Sequence, residues 1–218
     1  QIDHEFGRII DTLKQKGLYE DTTIIFTSDH GDLMGDFNLL AKHYYFENSI
    51  RIPMIIKDEA FVPGSTWNGS VSLTDLYETI REIAGLESDA DEEDSLSLFR
   101  QTGTGNYAAG QAPVAGSPVP RSPIFGVTDL GYMLTDDEWK LCRHENGAQM
   151  LYNIIEDPDE QTNLFEDPSA AEVLRKLDRI LTARIVKSMN RSHEEKIVQK
   201  TNAIGDGGFE KRGWKRPY

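Results

Sequence analysis

Ile2, Phe6, Ile9, Ile10 and Leu13 recur three or four positions apart, the period of a helix that turns one face toward a core. Gly17 follows where a helix C-terminus favours a left-handed residue. Residues 22–27 are β-branched or aromatic and almost wholly apolar in the middle. They predict a short strand buried on both faces, as in a parallel or mixed sheet. Pro53-Met54-Ile55-Ile56 predicts a second strand, with Pro53 at its first position, where a missing N–H is tolerated. A turn-rich stretch at 62–65 leads to Ser72-Leu73-Thr74-Asp75, which has the form of a capping box. Leu76, Tyr77, Ile80 and Ile83 give the helix that follows its apolar face, and Gly85 stops it. Strands alternating with helices predict an α/β core over residues 1–100.

The pattern changes beyond Gly85. Residues 87–94 are strongly acidic, and 101–123 are rich in Gly, Pro, Ala and Ser, which predicts a long irregular loop. Short apolar runs at 124–128, 131–135, 138–143 and 150–154 predict strands. Asp129-Leu130-Gly131 and Glu145-Asn146-Gly147 make turns between them, so a small antiparallel sheet is expected. Asp167-Pro168 opens a final helix, with Asp as N-cap and Pro in the first turn. Its stripe is Val173, Leu174, Leu177, Ile180 and Leu181. Sheet and helix together define a subdomain over 124–190. Residues 191–218, basic and Gly-rich toward the end with Phe209, Trp214 and Tyr218, are expected to form an extended tail.

The 218 residues, 38% of them hydrophobic, suffice for one core plus a small appended unit. The chain begins with Gln1 and reads as helical by Ile2, so a piece of a longer polypeptide is expected, and its compartment stays open. No apolar run approaches the roughly 18 residues that span a bilayer. A net charge of −14 argues against nucleic-acid binding and against docking on anionic membranes. It also means that a site for an anion must supply its own local positive charge. The single cysteine, Cys142, cannot form an internal disulfide and reads as a partly buried structural thiol. Acidic residues 89–94 lack the spacing of a calcium loop and read as solvated surface.

The candidate chemistry lies where the first strand runs out, at Ser28-Asp29-His30-Gly31-Asp32. Within a strand, Asp29 and His30 would point to opposite faces. They can serve one cation only if the backbone turns there, and Gly31 permits a turn. Carboxylate suits Ca²⁺, Mg²⁺ or Mn²⁺, while imidazole widens the choice toward Mn²⁺ or Zn²⁺. Two ligands are too few for a closed site, so others must come from elsewhere. Asp-His-Gly is also a common tripeptide in which Asp caps a turn and His sits at the surface. Thirteen residues beyond Asp29, Lys42 could neutralise a bound tetrahedral oxyanion, or be an ordinary solvated lysine. His43 could donate a proton near neutral pH or simply pack. Asp32 and Asp36 could hold the turn or stand behind the metal ligands.

Three segments together resemble the type I sulfatases of the alkaline-phosphatase-like superfamily: Thr27-Ser28-Asp29-His30-Gly31-Asp32-Leu33-Met34-Gly35-Asp36, then Leu39-Leu40-Ala41-Lys42, then Arg51-Ile52-Pro53-Met54-Ile55-Ile56. Trp139-Lys140-Leu141, Leu151-Tyr152-Asn153, Asp157-Pro158 and Glu160-Gln161-Thr162-Asn163-Leu164 resemble that family's C-terminal subdomain. The resemblance implies the C-terminal part of an alkaline-phosphatase-like α/β sandwich, a mixed sheet with flanking helices plus a small antiparallel sheet and helix. It implies that Asp29 and His30 are two metal ligands, with Ca²⁺ first and Mn²⁺, Mg²⁺ or Zn²⁺ as alternatives. Lys42 resembles the lysine that contacts sulfate, and His43 stands beside it as a further substrate contact. Relatives commonly have a histidine where this chain has Phe37.

The family's nucleophile is a formylglycine made from Cys or Ser in a Cys/Ser-x-Pro/Ala-x-Arg signature. No such signature occurs in these residues, nor do the paired aspartates that complete the metal site. The resemblance therefore implies a C-terminal half that is inactive alone, with formylglycine upstream and an N-terminal half as its partner. The full-length enzyme would hydrolyse a small-molecule or glycan sulfate ester: one hydroxyl of hydrated formylglycine attacks sulfur and the alcohol departs, and deprotonation of the other hydroxyl then expels sulfate and restores the aldehyde. Phosphonate monoester and phosphodiester hydrolases share the fold and much of the motif. A non-catalytic binding or assembly protein is the other class, since residues 105–123 and the tail could serve homo-oligomer contacts.

Overall fold

The computed structural model describes residues 1–87, 94–103, 119 and 123–205, with side chains of the last helix described up to residue 191. Most of the acidic run 89–94, most of the loop 101–123 and residues 206–218 lie outside the described residues. The chain forms two compact units. One comprises residues 1–124 with 158–160, the other 125–157 with 161–218.

The first unit opens with α1 (Ile2–Gln15), followed by β1 (Ile24–Thr27) and, after a long loop, the short α2 (Glu47–Ile50) and β2 (Met54–Lys57). Helix α1 ends as the sequence predicts. Gly17 takes φ +68°, its N–H donates to the Lys14 carbonyl, and the Leu18 N–H reaches back to Leu13. These two bonds make a Schellman closure that satisfies carbonyls the helix leaves open. Phe6 packs on Phe26 of β1 at 4.9 Å, yet no residue of α1 is buried.

β1 and β2 pair antiparallel, Ile24 opposite Lys57 and Thr27 opposite Met54. The expectation of a strand buried on both faces is not met. All four β1 residues are only half-buried: α1 lays Phe6 on Phe26, and no α1 residue is itself buried. Lys57 closes the far end of the ladder. Its ammonium donates to the carbonyls of Tyr19 and Glu20 at 2.6 and 2.7 Å and lies 4.8 Å from the centre of the Tyr19 ring.

α3 (Asp75–Ile83) also departs from its pattern. Tyr77 and Ile80, expected to be buried, are exposed, whereas Asp75, Glu78 and Thr79 are buried. The physical reason lies in segment 94–98, which runs along the polar side and satisfies it. Asp75 accepts from Leu96 N at 3.0 Å, and the Thr79 hydroxyl accepts from Leu98 N at 3.0 Å. Asp75 also accepts from Ser72 N at 2.8 Å, the reciprocal half of the predicted capping box. Gly85 ends α3 with the same pair of backward bonds seen at Gly17. Gln101 and Thr102 belong to α4 (Leu98–Thr102) and not to the expected loop. Phe99 of α4 is fully buried and stacks on Phe61.

The second unit is a sheet of β3 (Ile124–Thr128), β4 (Gly131–Thr135), β5 (Trp139–His144) and β6 (Gln149–Asn153) in that order, with α5 (Ala171–Gly205). Leu134, Leu141 and Leu151 face one another across β4, β5 and β6, and with Ala170, Leu177 and Leu181 they form its core. The N-cap is the predicted one, with Asp167 accepting from Ser169 N at 2.8 Å and Pro168 in the first turn. Helix α5 continues to Gly205, so residues 191–205 are helical where an extended tail was expected. Asn163 accepts from Leu151 N and donates to the Gln149 carbonyl, both at 3.0 Å, and so lines the edge of β6. Cys142 is buried, more fully than the partly buried thiol expected.

Candidate active site

β1 ends at a bond from the Thr27 hydroxyl to the Pro53 carbonyl, 2.9 Å. The backbone then turns. Ser28 donates its hydroxyl to the His30 carbonyl at 2.8 Å, and Asp29 Oδ1 accepts from His30 N at 3.0 Å. Gly31 contributes differently from the expectation that it permits a turn. A Cβ on Gly31 would lie 2.0 Å from the Asn48 carbonyl oxygen, while its own N–H donates to Ser49 O at 2.7 Å. Glycine is needed here for close approach of two backbone segments.

Residues 31–42 make a loop that returns to its starting point. Leu33, fully buried, anchors it, and Leu33 N donates to Ala41 O at 3.0 Å. Gly35 N donates to Leu39 O at 3.0 Å, and the Met34, Phe37, Asn38 and Ala41 backbones take positive φ to close the bend. Asp32 accepts from Met34 N at 2.9 Å, and Asp36 accepts from the Asn48 side chain. Both acids hold the turn. Phe37 stacks on Phe46 with centroids 3.8 Å apart.

The return brings Lys42 to His30. The Lys42 ammonium is hydrogen bonded to His30 Nε2. His30 Nδ1 lies 2.7 Å from the Gly31 carbonyl, which can only accept, so Nδ1 carries the proton and Nε2 offers its lone pair. Asp29 Oδ2 lies 3.2 Å from the same Nε2. Three of the residues singled out from sequence are thus brought together. His43 sits exposed on the chain beside Lys42. The Asp29 side chain is 81% exposed. Desolvation pushes its carboxyl pKa up, but the neighbouring His30, the backbone N–H groups of Asp29 and His30, and Lys42 outweigh that and hold it below its ordinary value. It is therefore a carboxylate at neutral pH.

The donors suit a cation. On an ion with bonds of about 2.0–2.6 Å, neighbouring ligands at right angles stand about 2.8–3.7 Å apart. Asp29 Oδ2 and His30 Nε2, at 3.2 Å, fall within that range. Among the described residues, no cluster of three or more metal-competent side chains occurs.

Sequence reasoning missed the residues that hold the site together. Ser49, 2% exposed, donates its hydroxyl to Lys42 O at 2.8 Å. Glu160 accepts from Glu47 N, at the start of α2, at 2.6 Å across 113 residues. Neither pairing leaves a signal in composition or period; Glu160 stood out only as part of a resemblance.

The chain is similar to known proteins. The sulfatase family model matches residues 1–86. Arylsulfatase K of Xenopus laevis is 32% identical over 170 residues, 75% of this chain and 32% of that protein. A solved 2-O GAG sulfatase aligns with TM-score 0.71 at 18% identity, covering 88% of this chain and 42% of its own. The phosphonate monoester hydrolase of Agrobacterium radiobacter aligns with TM-score 0.63 at 25% identity, covering 88% and 39%. The chain spans about a third of the length of the curated relatives it matches. Among the described residues, no helix is long and apolar enough to cross a membrane.

Proposed function

Because the chain belongs to the sulfatase family of the alkaline-phosphatase-like superfamily, we propose that it supplies part of a sulfatase active site, half of the metal ligands and the anion-binding lysine. The nucleophile, a formylglycine, and the remaining ligands come from the rest of a longer enzyme; these residues alone do not turn over. The observation that carries this reading is the convergence of Asp29, His30 and Lys42 at the end of β1.

Asp29 Oδ2 and His30 Nε2 would hold a divalent ion, Ca²⁺ first, with Mn²⁺, Mg²⁺ or Zn²⁺ as alternatives; the ion would take the Nε2 lone pair that the Lys42 ammonium holds here, leaving that ammonium to the anion. When bound, such an ion polarises the ester's oxygens and offsets charge that grows on them. Lys42 presents a fixed positive charge to the same anion from a loop tied down at Leu33 and Ser49. A pre-oriented charge needs little reorganisation as the reaction proceeds, which is why such groups rank among the larger contributors to rate. His43, exposed beside Lys42, is a further contact for the bound ester. With a net charge of −14 the molecule as a whole repels anions, so this local pairing of ammonium and metal has to provide the attraction.

The substrate is a sulfate ester of a small molecule or a glycan. A second reading, hydrolysis of phosphonate monoesters or phosphodiesters, is favoured by the fold shared with the Agrobacterium radiobacter enzyme. A panel of 4-nitrophenyl sulfate, 4-nitrophenyl phenylphosphonate and bis-4-nitrophenyl phosphate, assayed with the full-length enzyme, separates the two. Turnover of the sulfate ester well above both phosphorus esters supports the sulfatase reading, and the reverse order replaces it. No turnover on any of them in a metal-loaded enzyme points to a non-catalytic relative.

A further inference from the structure

We propose that Ser49 is a positioning residue for Lys42, and that Glu160 sets it from a distance by capping α2. The inference rests on the reading of Lys42 as the anion-binding group. Ser49 bonds both arms of the site. Its carbonyl accepts from Gly31 N at 2.7 Å, next to His30, and its hydroxyl donates to the Lys42 carbonyl at 2.8 Å. It is 2% exposed, so water does not compete for either bond. The Ser49 hydroxyl touches neither the metal-competent atoms nor the lysine ammonium. Its effect is to fix where the Lys42 backbone stands relative to His30, and hence where the ammonium stands.

Ser49 in turn depends on α2, a helix of four residues, too short to hold its own shape. Glu160 compensates. It is 3% exposed and its Oε2 accepts from Glu47 N at 2.6 Å. A charge-assisted bond of this kind is stronger than one between neutral groups. Glu160 thereby orders the N-terminus of the helix that carries Ser49. Asp36 and Phe37 tie the same loop to Asn48 and Phe46, so the loop's tip and the neck are both referred to α2.

The test is a double-mutant cycle in the full-length enzyme, assayed on 4-nitrophenyl sulfate, with bound metal measured in each variant. Ser49→Ala removes the hydroxyl and keeps the carbonyl that holds Gly31. Misplacing a catalytic group by about 1 Å can cost up to about a hundredfold, so a loss of roughly ten- to a hundredfold in kcat/KM is expected, with metal content unchanged. In a Lys42→Ala background the same substitution should cost less than about twofold, because the group it positions is gone. Glu160→Ala should behave like Ser49→Ala, and Glu160→Gln, which keeps an acceptor for Glu47 N, should recover most of the activity. If Ser49→Ala does not fold, the Glu160 pair carries the same cycle. Equal losses in both backgrounds, or full activity in Ser49→Ala, overturn the positioning role while leaving the proposed function standing. Wild-type turnover in Lys42→Ala overturns both.

Discussion

Lys42 Nζ bonds His30 Nε2 although the two residues stand twelve positions apart, and that His30 nitrogen lies 3.2 Å from Asp29 Oδ2. An ammonium, an imidazole lone pair and a carboxylate thus share one corner of the molecule. Two of these attract a cation and the third attracts an anion. A site that binds a metal and an oxyanion together needs both kinds of group, and a loop that doubles back is how one short stretch of chain delivers them.

Lys42→Ala tests the anion-binding role. A well-aimed charge of this type is worth roughly 3–4 kcal/mol, or two to three decades in rate. In the full-length enzyme, turnover of 4-nitrophenyl sulfate should fall by about that factor, while the thermal midpoint changes little because the side chain is exposed. Steady-state kinetics beside a calorimetric scan checks it. Unchanged turnover removes Lys42 from the site.

Asp29→Ala tests the metal assignment. Only part of the ligand set lies in these residues, so losing one carboxylate should leave the purified full-length enzyme with clearly less bound divalent metal than wild type. Elemental analysis after gel filtration gives the answer. A stoichiometry equal to wild type means that Asp29 is a surface turn residue and that the metal, if any, sits elsewhere.

Gly31→Ala probes the backbone that positions His30. The added Cβ would fall 2.0 Å from the Asn48 carbonyl, a distance that no rotamer change relieves, since the obstacle is backbone. Overpacking of this sort typically costs about 1–3 kcal/mol. A lowered denaturation midpoint with reduced metal binding is expected. A variant as stable as wild type would show that residues 28–31 and 48–49 are further apart in solution.

Much of this was legible in the chain. Gly17 and Gly85 end their helices because a left-handed residue is needed there, and that need is local. Asp167-Pro168 caps its helix for an equally local reason. The junction at Asp29-His30 was visible because a buried-type strand followed by a polar turn is a short-range pattern. What failed depended on distant chain. α3 reads as amphipathic with Tyr77 and Ile80 inward, but segment 94–98 supplies hydrogen bonds to Asp75 and Thr79 and takes the polar side. Residues 22–27 read as doubly buried, yet β1 is half-buried throughout, because cover for its faces comes from packing layers that a local pattern does not encode. Ser49 and Glu160 look like any Ser and Glu until the loop closure brings them to Lys42 and Glu47.

His144 gives the second unit a pH dependence with a definite sign. It lies in β5 opposite Gly131, and desolvation lowers its pKa below the ordinary 6.5, partly countered by a hydrogen bond to the Leu130 backbone. The folded chain therefore holds this proton less tightly than the unfolded chain does. In the window just below pH 6.5 the unfolded state binds more protons, so stability rises with pH there and is fully present above it. Urea unfolding followed by tryptophan fluorescence should show wild type losing more stability than His144→Gln between about pH 7.5 and 5.5. The comparison isolates this histidine, because every other titrating group is common to both proteins. Curves that stay parallel across the window would mean that His144 is as well solvated in the sheet as in the open chain.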